Sequence, residues 1–312
     1  MQRGIVVVGS LNADFVAWVP RFPAPGETVT GDEFAVFPGG KGANQAYAAA
    51  RLGANVSMVG QVGNDPQAEF LRENLASAGV DVSRVRRDPD VSSGIAIISI
   101  DDSGQNQIVV IPGANGTFSA ERLEQSRERI ASAAMVLLQL EIPLETVTAA
   151  ARYAKEGGAT VMLDPAPALA ISDDLLRLAD YLTPNESELA RLTGTSPEHA
   201  FDRPQAARKA RELLARGANR VIVKMGAAGA LLVDSAREVF WPAFPVTAVD
   251  TTAAGDAFNA AFAVALSWGK PEEEAGRFAT AAAACSVTRK GAQPGMPTLE
   301  EVERLLALTC GR

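Results

Sequence analysis

Short runs of β-branched residues alternate with longer helical patterns along most of this chain. Each apolar run precedes a segment rich in Ala, Leu and charged helix formers. This alternation is typical of βαβ units, so it predicts an α/β fold, an α/β/α sandwich with helices on both faces of a parallel sheet. The predicted strands are residues 5–8, 56–59, 136–140, 160–163 and 221–223, and the predicted helices are residues 42–52, 67–78, 144–156 and 204–215.

Two stretches, residues 14–37 and 94–111, break this alternation. In the second stretch, two apolar runs flank the turn sequence Asp-Asp-Ser-Gly at residues 101–104, which is typical of a β-hairpin. Strands inserted between βα units cannot easily join the parallel sheet. We therefore predict that these segments form a small separate sheet, placed as a lid, on a single domain covering residues 1–312.

The charge balance narrows the class of partner. The 312 residues include 37 acidic and 29 basic side chains, and the net charge of −8 gives no attraction to nucleic acid or to anionic lipid. A small-molecule ligand is therefore expected. Two cysteines, Cys285 and Cys310, are too few for a disulfide framework. The single histidine, His199, is expected to be solvated and is not a metal site.

No segment predicts a membrane span or a secretory signal. The charge-free stretch at residues 257–269 is too short to cross a bilayer and is expected to be a core helix. The chain enters its first apolar run within a few residues of Met1, without the long apolar region of a signal peptide. These features favour a cytoplasmic protein without membrane contact.

A loop of small residues at positions 250–256 leads directly into an apolar helix. The first N–H groups of a helix have no internal partner and carry the positive end of its dipole, so a phosphate can approach them where side chains are small. Asp256 would then face that phosphate, where a carboxylate can accept the proton of an alcohol. The spacing is equally compatible with Asp250 as a helix cap and Asp256 as a favourable first-turn charge.

Two further clusters lie near the N-terminus. Residues 39–44 form a Gly-Gly-Lys-Gly-Ala-Asn sequence, whose glycines let backbone approach a ligand and whose Lys41 and Asn44 offer donors to hydroxyl oxygens. Asn12 and Asp14 follow the first strand, at the edge where open α/β sheets bind ligands, and could bind two adjacent hydroxyls. A glycine turn with a solvated lysine, and a simple Asx turn, would also explain these clusters.

Taken together, these segments resemble the ribokinase-like carbohydrate kinase family. The resemblance rests on the N-terminal Gly-Gly motif and the signature at residues 250–256, and it extends from the first strand to about Pro297. It implies a Rossmann-like core and a β-sheet lid that also forms a homodimer contact. It further implies Mg²⁺-ATP as the phosphoryl donor and K⁺ as a monovalent activator.

The resemblance also implies residue roles. Asp256 becomes the base that deprotonates the sugar, and the amides of Ala253, Ala254 and Gly255 become an anion hole. The positions implied to hold ribose are Asn12, Asp14, Gly40, Lys41, Asn44, Glu141 and Asp256. The positions implied to bind ATP are Asn185, Glu188, Lys224, Gly226, Gly229, Gly255 and Thr280. From the residues alone, Glu141 could equally be a surface charge, residues 185–188 a helix start and residues 224–229 a β-turn.

A cation loop is implied as well. Its ligands, mostly backbone carbonyls, would come from Asp250, Thr252, Ser286, Arg289, Gly291 and Gly295. Gly295 departs from the family pattern, because members often carry a serine there whose hydroxyl can ligate the ion.

The activity implied by the resemblance is transfer of a phosphoryl group from ATP to the 5-hydroxyl of D-ribose. A kinase for another small sugar or nucleoside, such as deoxyribose, fructose or adenosine, is the nearest alternative. A dinucleotide oxidoreductase should carry Gly-x-Gly-x-x-Gly after its first strand, which residues 8–11 do not begin. A silent sugar sensor would bind ribose without turnover, and the presence of Asp256 argues against it.

Overall fold

The structure is a computed structural model that describes residues 3–196 and 201–309. His199 and Cys310 lie outside the described residues, so the predictions made for them are not addressed. The strands are β1 (Ile5–Val8), β2 (Asn12–Trp18), β3 (Glu33–Gly39), β4 (Val56–Val62), β5 (Asp81–Arg87), β6 (Gly94–Ile100), β7 (Asn106–Ile111), β8 (Met135–Leu138), β9 (Thr160–Leu163), β10 (Tyr181–Leu182), β11 (Val221–Lys224), β12 (Gly229–Val233) and β13 (Glu238–Pro242).

Helices connect most of these strands. They are α1 (Lys41–Arg51), α2 (Pro66–Ser77), α3 (Ala120–Leu123), α4 (Arg127–Ala131), α5 (Leu144–Glu156), α6 (Asp173–Leu178), α7 (Glu186–Leu192), α8 (Arg203–Ala215), α9 (Ala254–Ser267), α10 (Glu272–Ser286), α11 (Ala292–Gly295) and α12 (Leu299–Thr309). The predicted α/β class is confirmed. None of the helices in the described ranges is long and apolar enough to cross a membrane.

The main sheet has nine strands in the order β13-β12-β11-β10-β9-β8-β1-β4-β5. The strands from β11 to β5 run parallel, and β12 and β13 add an antiparallel edge. Val8 at the end of β1 lies between Val59 of β4 and Leu138 of β8, so the three strands end at one edge. The open edge beyond these carboxyl ends is where such sheets bind ligands.

Successive residues of the central strand face opposite layers of the core. Ile5 and Val7 pack in the layer that contains α1, α2, α9, α10 and α12, whereas Val6 and Val8 pack in the layer that contains α3 to α8. All four side chains are at most 1% exposed. Because both faces of a parallel sheet are covered by helices, its strands have continuous apolar sequences. This explains why these strands were visible as short β-branched runs.

A second sheet of four strands stands apart from the first, in the order β3-β2-β6-β7. It contains parts of both inserted segments, whereas residues 19–32 form no strand. The sheet starts closer to the ligand edge than predicted, because Asn12 already pairs with Gly39. It keeps large apolar side chains in solvent: Phe34, Ile97 and Val109 are 62%, 51% and 60% exposed.

Candidate active site

Asp256 lies in the first turn of α9 and is only 3% exposed. The helix begins after Ala253, which has φ = 60°, in the left-handed region that non-glycine residues rarely adopt. This residue turns the chain sharply into the helix. The N–H of Ala254 donates to the carbonyl of Thr251 at 3.2 Å, so one of the three predicted anion-hole amides already has a backbone partner.

Both oxygens of the Asp256 carboxylate accept a hydrogen bond from α1. Asn44 Nδ2 donates to Oδ2 at 3.1 Å, and Gln45 Nε2 donates to Oδ1 at 3.0 Å. Burial raises the pKa of Asp256; the ammonium of Lys41 opposes this effect and the carboxylate of Asp164 adds to it. The Asp256 carboxylate therefore holds a proton more readily than an exposed aspartate does, a property suited to a general base.

Lys41, the first residue of α1, lies among acidic side chains. Burial acts to lower the pKa of this lysine, but the surrounding charges of Asp256, Asp164, Glu141 and Glu188 outweigh burial, and the pKa is raised. The ammonium is therefore firmly protonated. It lines the same cavity as Asp256 and provides positive charge at the floor of that cavity.

The predicted sugar-binding residues meet between the small sheet and the start of α1. Glu141 Oε2 accepts hydrogen bonds from Ser10 Oγ at 2.5 Å and from the backbone N–H of Lys41 at 2.9 Å, so its carboxylate holds the start of the helix. Burial and the charge of Glu141 raise the pKa of Asp14 to about 7. Asn12 Oδ1 accepts from Asn115 Nδ2 at 2.8 Å. Glu141 is therefore partly buried and hydrogen-bonded within the chain.

Glycine is required at positions 39 and 40, where the backbone lies close to Asn12 and Asp14. A Cβ on Gly39 would lie 2.1 Å from Oδ2 of Asp14, so the carboxylate rests directly on the strand backbone. Gly40 has φ = 87°, and a Cβ there would meet the backbone nitrogen of Asn12 at 2.8 Å. The Gly-Gly pair therefore brings the backbone against Asn12 and Asp14.

A cavity of about 520 Å³ extends from Asp256 along the start of α9. Every residue predicted to bind ATP lines it, namely Asn185, Glu188, Lys224, Gly226, Gly229, Gly255 and Thr280. Its far end is apolar and is formed by Ala243, Phe244, Pro245, Val246, Ala284 and Val287. No sequence signal indicated this apolar wall, because residues 243–248 have no periodic pattern and no motif.

Asn185 and Glu188 form a reciprocal helix cap as well as lining the cavity. Asn185 Oδ1 accepts from the N–H of Glu188 at 2.8 Å, and Glu188 Oε2 accepts from the N–H of Asn185 at 2.7 Å. The helix-start reading of this segment is thus correct. Burial raises the pKa of Glu188, and the charge of Lys224 opposes that rise.

Asp164, directly after β9, is a further buried residue of the site that was not predicted, and it is 2% exposed. Its Oδ1 lies 3.0 Å from Lys224 Nζ, and its Oδ2 accepts from Gln45 Nε2 at 3.1 Å. A polar residue directly after a buried strand was the available signal. Gln293 was missed too; its Nε2 donates to Asn44 Oδ1 at 3.1 Å.

The predicted cation-loop segments converge behind α9. Asp250 accepts from the N–H of Thr252 at 2.9 Å and from the N–H of Gly291 at 2.8 Å. Burial acts to raise the pKa of Asp250, but these hydrogen bonds outweigh it and the pKa is lowered. A Cβ on Gly295 would lie 3.0 Å from the carbonyl oxygen of Ser286 and 3.7 Å from that of Arg289, so both carbonyls point at this glycine.

A buried carboxylate and a lysine line one cavity of about 520 Å³. A base and a positive charge are groups that phosphoryl transfer can use. Residues 2–299 match the family described as pfkB family carbohydrate kinase. The chain belongs to this family. The resemblance inferred from its motifs is confirmed.

Individual relatives are similar over nearly the whole chain. The ribokinase of Haemophilus influenzae is 42% identical over 306 residues, which cover 98% of this chain and 99% of that protein. The deoxyribokinase of Salmonella typhimurium is 41% identical, with 97% and 99% coverage. The structure of Arabidopsis thaliana ribokinase complexed with ribose and ATP superposes with a TM-score of 0.92 at 38% identity, covering 98% of this chain and 99% of that one.

Proposed function

We propose that this chain is an ATP-dependent kinase that phosphorylates the 5-hydroxyl of D-ribose, giving ribose 5-phosphate and ADP. The observation that carries the proposal is the position of Asp256, a buried residue that lines the cavity and accepts a hydrogen bond from Asn44, one of the residues proposed to bind the sugar. In a kinase site, a base lies within hydrogen-bond reach of the acceptor hydroxyl, and that hydroxyl faces the donor phosphate. The ribokinases among its relatives support ribose as the acceptor.

In the proposed reaction, the 5-hydroxyl oxygen attacks the γ-phosphorus of ATP. A bond forms between these atoms, the bond from the γ-phosphorus to the bridging oxygen breaks, and ADP leaves. Asp256 accepts the hydroxyl proton. Lys41 and the amides at the start of α9, those of Ala253 and Gly255 above all, stabilise the charge on the transferred phosphoryl group.

Mg²⁺ fits the donors at the nucleotide side of the cavity. Asn185 and Glu188 offer amide and carboxylate oxygens there, the chemistry that Mg²⁺ and its water shell prefer. When bound with ATP, the ion neutralises charge on the phosphates. The chain's own contribution is to hold Glu188 in place through the Asn185 cap and to hold Lys224 through Asp164.

Deoxyribose is the second candidate acceptor, favoured by the 41% identity to a deoxyribokinase. In the proposed assignment, Asn12 and Asp14 bind adjacent hydroxyls, and deoxyribose lacks one of a vicinal pair. A carboxylate left without its hydroxyl partner loses a hydrogen bond worth about 1.5–3 kcal/mol, so ribose should be favoured by roughly tenfold or more. The pocket thus supports ribose over deoxyribose.

ATP consumption measured with ribose, 2-deoxyribose, fructose and adenosine tests the acceptor directly. We expect the highest kcat/KM with ribose, about tenfold or more above deoxyribose, and phosphorylation at the 5-position by ³¹P NMR. A higher kcat/KM with deoxyribose than with ribose would show that deoxyribose is the preferred substrate. No turnover with any of the four would overturn the sugar-kinase assignment.

We also propose that the loop formed by residues 250–252 and 286–295 binds K⁺. Carbonyl oxygens suit this ion, and the carbonyls of Ser286 and Arg289 both approach Gly295 beside the carboxylate of Asp250. The lowered pKa of Asp250 supports a permanent negative charge there. Because the loop leads directly into Ala253, an ordered ion would fix the amides at the start of α9.

Replacing K⁺ by tetramethylammonium at constant ionic strength should reduce kcat several-fold, because the larger cation cannot enter a ring of carbonyls. The measurement is a steady-state rate in the two salts at saturating sugar and ATP. An Asp250→Asn variant serves as the control and should respond much less to the exchange. Equal wild-type rates in both salts would contradict the ion site.

We further propose a homodimer in which the small sheets of two copies pack together. The exposed apolar side chains of β3, β6 and β7, including Phe34, Ile97 and Val109, support this arrangement. Since the same sheet is proposed to cover the sugar pocket as a lid, the dimer contact would also hold this sheet in position. ATP as the co-substrate supports a cytoplasmic location.

A further inference from the structure

Gln45 is a completely buried residue of α1 that bridges two buried carboxylates. It is 0% exposed. One N–H of its side-chain amide donates to Asp256 Oδ1 at 3.0 Å, and the other donates to Asp164 Oδ2 at 3.1 Å. Its Oε1 accepts from Gln139 Nε2 at 2.7 Å. The amide thus has every N–H committed, and its orientation is fixed by three partners.

These contacts form a continuous polar path through the site. It runs from Gln139 at the end of β8 to Gln45, then branches to Asp256 on one side and to Asp164 on the other. Asp164 in turn holds Lys224 through an ion pair of 3.0 Å, on the nucleotide side of the cavity. The proposed base and the Asp164–Lys224 ion pair are therefore joined by a single glutamine.

Gln45 differs from the other donor to Asp256 in its access to ligands. Asn44 is proposed to bind the sugar, so a bound hydroxyl would compete with Asp256 for its amide. Gln45 has no exposed surface and no way to touch a substrate. It is the donor that stays on Asp256 throughout the reaction.

The charges around Asp256 make this donor important. Asp164 lies close enough for its negative charge to act on Asp256, and Glu141 and Glu188 are further carboxylates in the same site. Lys41 and Lys224 are the positive groups facing them. Two neighbouring carboxylates tend to retain a shared proton unless donors stabilise both charges. The two N–H groups of Gln45 supply one such donor to each carboxylate.

We propose that Gln45 is a positioning residue that holds the carboxylate of Asp256 in its reactive orientation and joins it to the Asp164–Lys224 ion pair. This inference rests on the proposed function only in taking Asp256 as the base. It predicts that the loss of the Gln45 amide changes the chemical step and its pH dependence, with less effect on ATP binding.

The test is the pH dependence of kcat for Gln45→Met in the full-length protein, with ribose and Mg²⁺-ATP at saturation. Methionine keeps the length and apolar volume but donates no hydrogen bond. We expect kcat to fall about 10–100-fold, as for a small misplacement of a reacting group. We also expect the acid limb of the profile to move up by about one pH unit, since the ionised form of Asp256 loses a donor. KM for ATP should change less than about threefold.

Gln61→Met is the matched control. Gln61 is 1% exposed and donates to another buried carboxylate, Asp88, at 3.1 Å, in a network away from Asp256. Losing its buried amide should lower the melting temperature comparably, by a few degrees. It should leave the acid limb in place. Comparable melting temperatures in the two variants, with a shifted limb only for Gln45→Met, would support the positioning role.

An unshifted limb and a kcat within about threefold of wild type would show that Gln45 only fills space. If Gln45→Met fails to fold, as judged by circular dichroism, Gln45→Glu is measured instead, because it keeps the shape and replaces the donor by an acceptor. The acid limb of the kcat profile of Gln45→Glu must also move to higher pH, and an acid limb at the wild-type position would overturn the proposal. The profile is taken with whichever sugar the wild type phosphorylates fastest, so a wrong choice of ribose affects the proposed function and not this test.

Discussion

Replacing Asp256 by asparagine should lower kcat with ribose by about 10²–10⁴-fold, the usual contribution of a general base. Asparagine keeps the size of the side chain, and its one carbonyl oxygen can still accept from Gln45 or from Asn44, although its NH2 group loses the other contact. It cannot accept the hydroxyl proton. KM for ATP should change little, because Asp256 lies at the head of the cavity and the other predicted nucleotide contacts remain.

Asp88→Asn is the control for this variant. Asp88 is also buried, at 2% exposure, and also sits in a hydrogen-bonded network, with Gln61, Thr117 and Arg122. Its substitution should cost stability without a comparable loss of kcat. Near-wild-type turnover by Asp256→Asn, under conditions where both variants are folded, would remove the base assignment.

Lys41→Met should lower kcat at pH 7 by about 10²–10³-fold, the usual loss for one group that stabilises transition-state charge. Two effects combine. The transferred phosphoryl group loses a positive partner, and the pKa of Asp256 rises further because Lys41 is the charge that opposes its rise. A raised pKa leaves more of the base protonated at low pH, so part of the lost rate should return as the pH increases to 9.

The pH profile separates this effect from general damage to the fold. Lys209→Met is the control, since Lys209 is a partly buried lysine of α8 paired with Glu212, away from the site. Its kcat profile should match that of the wild type. Lys41→Arg should keep the acid limb near its wild-type position, because the charge remains. A Lys41→Met profile with an unmoved limb and normal kcat would exclude both proposed effects.

Sequence periodicity predicted the core because that periodicity has a direct physical cause. The run Ile-Val-Val-Val at residues 5–8 is buried on both faces, and only a strand covered by helices on both sides tolerates such a run. Boundaries were less certain. The strand predicted to end at residue 59 continues to Val62, through Gly60 and Gln61, which are uncharacteristic of strands. Gly60 packs closely against the chain near Leu11, and Gln61 donates a hydrogen bond to Asp88.

The site was predictable as far as its residues lie in contiguous motifs. Asn44 and Asp256 were identified from segments 212 positions apart, and the structure joins them by a hydrogen bond. Gln45 and Asp164 were missed because their importance lies in contacts between distant segments. The position of Asp164 directly after a buried strand was its one sequence signal, and a glutamine inside an alanine-rich helix, such as Gln45, resembles a surface residue. Such buried amide-to-carboxylate contacts exist only after the helices pack.

The role of Asp256 as base is tested most directly by a crystal structure of the protein with ribose and a non-hydrolysable ATP analogue. A carboxylate oxygen of Asp256 should lie about 2.6–3.2 Å from the 5-hydroxyl oxygen of ribose. That oxygen should lie about 3–3.5 Å from the γ-phosphorus, in line with its leaving group. A closed complex in which the 5-hydroxyl points away from Asp256, or in which ribose and nucleotide bind far apart, would contradict the proposed mechanism.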